Sequence, residues 1–417
     1  HQDAEGRILV GGGFNQVNGV TAHNLVRMLP GGNLDPAFQP GTGPNAAVRV
    51  ILEDGQGRLL LGGDFTSYNG LPADRIARLL PDGSLDPLFD SSPGFSSFVE
   101  SIQFMDGGRI LAGGLFKTYS GVTRTCVAIL REDGSLDETF VPAPAVPAFE
   151  YFGHGAFQSP DGIIVIGEAG NHPTNAVFRL LPSGQRDPNF VTTVTRDVGA
   201  AGVTDAIVQP DGRIVICGIF NSVNGVPRNH VARLLPDGGL DESFDPGAGA
   251  DQWVFKMRRQ SDGRLLLVGH FLSYDGQLRP YAVRIHPDGS LDDTFDLGTG
   301  PDSSVNAAWV GSDDSVLLGG RFQRVGDISR PAWASIGPDG RLALTVPRFL
   351  NARGENGALA LELEVEPGFD VRLLESTNLD GWSPVATDRT VKRVLRFESE
   401  LAPTGNRFFQ AERLGPK

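Results

Sequence analysis

The side chains best suited by type and spacing to do chemistry lie between residues 150 and 172: Glu150, Tyr151, His154, Glu168 and His172. Carboxylate, phenol and imidazole groups gathered in one place can exchange a proton or hold a polar ligand. A second set, Tyr68, Tyr119 and Tyr274, stands immediately before the turns Asn69-Gly70, Ser120-Gly121 and Asp275-Gly276. A rim of phenols and amides there would bind a sugar or a peptide. Asp82 and Asp86 put two carboxylates beside a glycine turn, but calcium requires six to eight oxygens, and the Asp-x-Asp-x-Asp-Gly loop with its distal Glu is absent. No metal is expected. The seven histidines are scattered, without the His-Glu-x-x-His spacing of a zinc helix, and Gly-x-Ser-x-Gly, phosphate-loop and dinucleotide motifs are missing. No cofactor is expected either. Paired glycosidase carboxylates could come from distant segments, where spacing is blind to them.

Composition limits what holds these residues. The 417-residue chain carries 36 basic and 50 acidic side chains, a net charge of −14, which repels phosphate backbones and argues against nucleic-acid binding. Gly (55) and Pro (29) favour tight turns over long helices. No apolar run approaches the roughly 18 residues of a membrane helix, so no membrane span is expected. Cys126 and Cys217 sit in different strand positions, fit no zinc motif, and are expected as buried free thiols. The chain begins at His1 rather than Met, which reads as a removed leader or a fragment.

A repeat supplies the scaffold. Phe14, Phe65, Phe116, Phe220, Phe271 and Phe322 each follow a Gly-Gly-type step, and with the degenerate Gly170 the spacings are 51, 51, 54, 50, 51 and 51. Each period predicts four strands, shown best by Val48–Leu52, Arg58–Phe65, Ile76–Leu80 and Leu85–Phe89. Asp-Gly steps such as Asp82-Gly83 and Asp133-Gly134 separate them and predict two-residue hairpins with both central residues at positive φ. Such meanders bury both faces only by stacking in a ring. The expected fold is therefore all-β, a seven-bladed β-propeller over residues 1–346. The first copy lacks its opening strand, which reads as lying upstream of His1, or else the blade has three strands.

Residues shared by the copies hold the scaffold. Arg27, Arg78, Arg179, Arg233 and Arg284 precede Asp35, Asp86, Asp187, Asp241 and Asp292 by eight residues, predicting an ion pair across each hairpin. The fourth copy departs most: Glu168 is read as replacing the second glycine, its long loop is cut to Asn171–Thr174, and Pro142, Pro144 and Pro147 precede Glu150, Tyr151 and His154. A small polar site and a decayed repeat both account for this.

The pattern Gly57-Arg58-Leu59-Leu60-Leu61-Gly62-Gly63-Asp64-Phe65, then Asn69-Gly70, then Arg78-Leu79-Leu80-Pro81-Asp82-Gly83-Ser84-Leu85-Asp86 to Phe89 resembles the delta-60 repeat of bacterial surface and secreted proteins. The resemblance covers residues 6 to 346 and implies a β-propeller with no assigned activity. Kelch repeats share the period but require a Tyr and a Trp after the glycine pair, absent here. Residues 347–417 read as a small β-module: Leu359, Leu361, Leu363 and Val365 alternate with polar or small residues, Val371–Leu374, Val391–Phe397 and Phe408–Ala411 are further strands, and Trp382 is a core candidate. Its stretch from Val371 through Trp382 to Phe409 is similar to β-sandwich modules that close multidomain secreted proteins, implying attachment or spacing.

Two functions remain from the sequence. One is a binding scaffold for glycan or protein, extracellular or on the cell surface, a monomer within a larger multidomain chain. The other is an extracellular polysaccharide hydrolase or lyase with carboxylates contributed by several blades.

Overall fold

The computed structural model describes residues 1–3, 5–17, 19–29, 33–142, 155–168 and 176–342 in full, and residues 348–355, 358–364, 370–376, 383–389, 394–400 and 408–414 as backbone strands. The chain divides into two compact units, His1–Ala334 with Pro338–Gly340, and Ser335–Gly337 with Arg341–Lys417. Among the described residues no helix is long and apolar enough to cross a membrane.

Antiparallel sheets follow one another along the first unit. In the second sheet, Val48–Glu53 pairs with Leu59–Gly63, which pairs with Ile76–Leu79. The same three-strand order recurs in the next five sheets. The fourth piece of each repeat is shorter than its sequence suggests: Leu85–Phe89 joins the sheet through one bridge, Leu79 to Leu85. Its Asp and Phe are diverted to other partners, as shown below. The central strands Leu59–Gly63, Ile110–Gly114 and Leu265–Gly269 are buried throughout, because neighbouring sheets cover both faces. At about 25 cal/mol per Å² of apolar area this stacking is the main stabilising term.

Among the described residues the first sheet holds two strands, Ile8–Gly11 and Leu25–Met28. Residues His1 and Gln2 occupy the end of the expected opening strand, with Gln2 bridged to Ile8 and the Leu9 amide donating to the His1 carbonyl at 2.8 Å.

The Asp-Gly turns are not the expected two-residue hairpins. Gly83 has φ +89°, and its amide donates to the Leu80 carbonyl at 2.9 Å, whereas Asp82 keeps a negative φ. Pro81 fits the first central position of a type I turn and Gly83 supplies the left-handed residue that ends it. The Asp82 carboxylate accepts from the Ser84 amide at 2.9 Å. The two-residue hairpin with both residues at positive φ lies at Asn69-Gly70 instead, with φ 48° and 77°, joining Ser67–Tyr68 to Leu71–Pro72.

The expected ion pairs form and reach further than one hairpin. Arg233 Nε donates to the Asp241 carboxylate at 2.8 Å, Arg233 Nη1 donates to the Pro287 carbonyl of the following repeat at 2.7 Å, and its guanidinium lies 5.1 Å from the Phe244 ring centre. Arg27, Arg78, Arg179 and Arg284 repeat all three contacts, on Pro81, Glu132, Pro236 and Pro338 and on Phe38, Phe89, Phe190 and Phe295. The Arg side chains are no more than 10% exposed. The third copy has Ile129 at this position.

The second unit contains two antiparallel sheets. In one, Arg348–Glu355 pairs with Ala358–Glu364 and that with Val394–Glu400. In the other, Asp370–Ser376 lies between Ser383–Arg389 and Phe408–Leu414. Trp382 lies outside the described residues.

Removing one partner of a buried pair strands the other charge, at a cost of roughly 3 kcal/mol. Arg233→Met is therefore expected to lower the unfolding free energy by about that amount in urea denaturation. Burial pushes the Asp241 carboxyl up, but hydrogen bonds from Ser243 and Arg233 overcome it and hold its pKa below the usual carboxylate range. A carboxyl lowered in the folded state stabilises the protein above its unfolded pKa of roughly 4 and loses that contribution as pH falls through the folded value. Asp241→Asn should accordingly reduce stability at pH 7 and flatten the decline seen on acidification below about pH 4.

Candidate functional site

Glu150, Tyr151, His154 and His172 lie outside the described residues. Tyr68, Tyr119 and Tyr274 do not stand on a rim, being at most 1% exposed. Their hydroxyls donate to the carbonyls of Gly83, Gly134 and Gly289 at 2.6, 2.5 and 2.9 Å. Each thus ties the hairpin turn that follows it, Asn69-Gly70, Ser120-Gly121 or Asp275-Gly276, to the Asp-Gly turn of its own repeat, and burial raises the pKa of all three phenols.

Glu168 is half-buried and bridged to Gly202. It does not replace the second glycine of the pair. The Gly167 amide donates to the Ala176 carbonyl, as Gly63 donates to Arg75, so Gly167 holds the glycine position and Glu168 corresponds to Asp64. The reason is steric: a Cβ at Gly63 would lie 2.2 Å from the Ala47 carbonyl oxygen.

The carboxylates beside the turns are occupied by protein donors. Asp82 accepts from Ser84 and Asp86 from Arg78 at 2.7 Å. Among the described residues no group of three metal-ligating side chains converges. Cys126 and Cys217 are both buried, as expected, and burial pushes the Cys217 thiol up.

A cavity of about 760 Å³ opens where the first strands of five successive sheets end. Its wall carries Gln103, Phe104, Gln158, Ser159, Gln209 and Arg259, with Leu52, Ile102, Val208, Pro160 and Pro210 between them. The Gln103 side-chain oxygen accepts from the Gln158 backbone amide at 2.8 Å, which fixes the carboxamide. Ser159 Oγ donates to the Gly162 carbonyl at 3.0 Å. Phe104 is 39% exposed, so its ring offers an apolar face beside these amides. The lining is neutral apart from Arg259, in a chain of net charge −14. Carboxamide donors and acceptors next to an aromatic face suit a polyhydroxylated ligand.

Sequence reasoning missed this wall. By register, Glu53, Phe104, Gln158, Val208, Arg259 and Val310 stand opposite Leu59, Ile110, Ile163, Ile214, Leu265 and Val316, the same position of the first strand in successive sheets. Variation at that position, inside an otherwise regular repeat, was the available signal.

The sequence matches the family model described as a domain of unknown function (DUF5122) beta-propeller in six segments, residues 4–38, 57–89, 108–140, 159–190, 209–244 and 260–295. With the repeated sheets, this defines a β-propeller repeat protein. No curated protein matches the sequence. A solved structure described as a glycoside hydrolase aligns over 88% of this chain and 94% of its own at 12% identity, with a TM-score of 0.28, a likeness too slight to bear on chemistry.

If the buried phenols are scaffold, Tyr274→Phe should destabilise the protein by about 1 to 2 kcal/mol, the cost of leaving the buried Gly289 carbonyl unpaired. Thermal unfolding would register this, while ligand binding at the cavity should be unchanged.

Proposed function

We propose that this protein is a binding scaffold, a seven-bladed propeller whose channel mouth holds a neutral glycan through Gln103, Gln158 and Gln209 against the Phe104 ring. The observation that carries the reading is the amide-lined cavity of about 760 Å³ where five first strands converge. Every carboxyl group with a displaced pKa among the described residues, including Asp35, Asp187, Asp241 and Asp292, is displaced downward. Such groups are poor proton donors at neutral pH, which favours binding over glycosidic acid catalysis. The second unit, read as a β-sandwich module, serves attachment. The resemblance to surface repeats supports an extracellular or cell-surface setting, as one part of a larger chain.

A glycan array combined with a hydrolysis screen tests this. The expected result is retention of one glycan class without turnover, weakened about fivefold by Gln158→Ala, the loss of roughly 1 kcal/mol in hydrogen bonding, and similarly by Phe104→Ala. Turnover would establish the polysaccharide hydrolase or lyase instead. Glycan binding that neither substitution alters would remove the channel mouth as the site.

A further inference from the structure

The residue that follows the return strand of each short hairpin donates its amide back across the hairpin. Ala22 donates to the Asn15 carbonyl, Ala73 to Thr66, Arg124 to Lys117, Arg228 to Asn221, Arg279 to Leu272 and Arg330 to Gln323, at 2.8 to 3.1 Å. The position is therefore the same in all six of these repeats, and four of them place arginine there. Each of the four guanidinium groups donates through Nη1 to the carbonyl of the residue before it, Thr123, Pro227, Leu278 or Ser329, at 2.8 to 3.1 Å. Arg124 is 4% exposed, so its stem is packed rather than solvated. Arg279 Nη2 also donates to the Asp293 carboxylate at 3.0 Å, which sets that guanidinium beside residues 291–295.

In the first repeat the side chain stops at Ala22, and a cavity of about 230 Å³ stands beside it. Its wall is Thr21, Ala22, Leu25, Leu34, Phe38 and Pro40, backed by the Arg27–Asp35 ion pair. Residues 34–38 are the counterpart of 291–295, so the cavity lies where other repeats lodge an arginine. The Thr21 carbonyl holds the place of Thr123's, since Thr21 pairs with Gln16 as Thr123 pairs with Thr118. The second repeat also carries alanine, Ala73, but there the Ser91 hydroxyl donates to the Ile76 carbonyl at 3.2 Å and both Ala73 and Ser91 are buried. Pro40 stands at the position of Ser91 and has no hydroxyl to close the first repeat in that way.

We propose that this cavity is a docking site for an arginine side chain presented by a basic protein partner. Its volume is below the roughly 300 Å³ at which pockets for whole small molecules begin, so it admits one side chain and leaves the rest of the partner outside. The guanidinium would donate to the Thr21 carbonyl, as Arg124 does to Thr123, with its stem over Leu34 and Phe38. A net charge of −14 draws a cationic partner and repels an acidic one. Lysine is the poorer fit, because its compact ammonium is more strongly hydrated than a planar guanidinium.

The probe is acetyl-Gly-Gly-Arg-Gly-Gly-amide, titrated against the whole chain by ligand-observed NMR. Saturable binding is expected, weakened at least about tenfold when lysine replaces the arginine. Ala22→Arg supplies the side chain from within, as four other repeats do, and should cause the same loss. Ala22→Leu fills the space without added charge and should do so too, whereas Leu88→Arg on the exposed surface should leave binding unchanged. An absence of saturable binding overturns the proposal, as does equal binding of the arginine and lysine peptides, or binding that neither Ala22 variant weakens. Agmatine that binds where the arginine peptide does not would assign the cavity to a free guanidine and overturn the protein partner.

Discussion

The buried guanidinium of Arg27, Arg78, Arg179, Arg233 and Arg284 is the contact on which the rest of this architecture depends. A stack of small sheets has few covalent reasons to hold its spacing, and apolar faces alone slide. Each Arg fixes three things at once: the Asp of its own hairpin, the Phe ring that closes its own repeat, and a carbonyl in the next repeat. Buried charges are costly unless every donor is satisfied. The contact therefore forms only when two neighbouring repeats are in register, which converts a non-directional hydrophobic stack into a defined angle between sheets.

The fourth piece of each repeat follows from that demand. Its Asp and Phe serve the guanidinium, so it contributes one bridge to its sheet rather than a strand. The Pro-Asp-Gly turn just before it presents its backbone to the preceding repeat, where the Gln39 amide donates to the Asp82 carbonyl at 2.7 Å, and the buried Tyr68 holds the same turn from within its own repeat. Turn, phenol, carboxylate and ring form one joint. The third copy, with Ile129 in place of Arg, lacks the guanidinium at its joint with the fourth, the copy in which the pattern departs most.

The same economy explains where variation is tolerated. Most second strands are enclosed on both faces and carry aliphatic residues and glycine, as in Leu59–Gly63, Ile110–Gly114 and Leu265–Gly269. The ends of first strands are less enclosed: Phe104, Gln158, Val208 and Arg259 line the cavity and differ from sheet to sheet. A repeat protein can alter that wall without disturbing its joints, which makes it the natural place for a private ligand.

The sequence alone determined the period, the all-β class, the pairing of Arg with Asp eight residues later, the burial of both cysteines and the incomplete first copy, because each depends on local spacing repeated many times. It misread Tyr68, Tyr119 and Tyr274, whose apparent exposure beside a turn reversed once the hairpin folded back onto its own repeat. It misread the Asp-Gly turns, in which the glycine alone takes a positive φ, as at Gly83 and Gly134. It placed Glu168 one position early, because the glycine that matters is chosen by the carbonyl it abuts, not by its number. Only the tertiary structure decided that Arg reaches across repeats and that Gln103, Gln158 and Gln209 share one cavity. Those contacts join residues about fifty or more apart in the chain, and distances of that kind are set by how sheets stack rather than by any pattern within one of them.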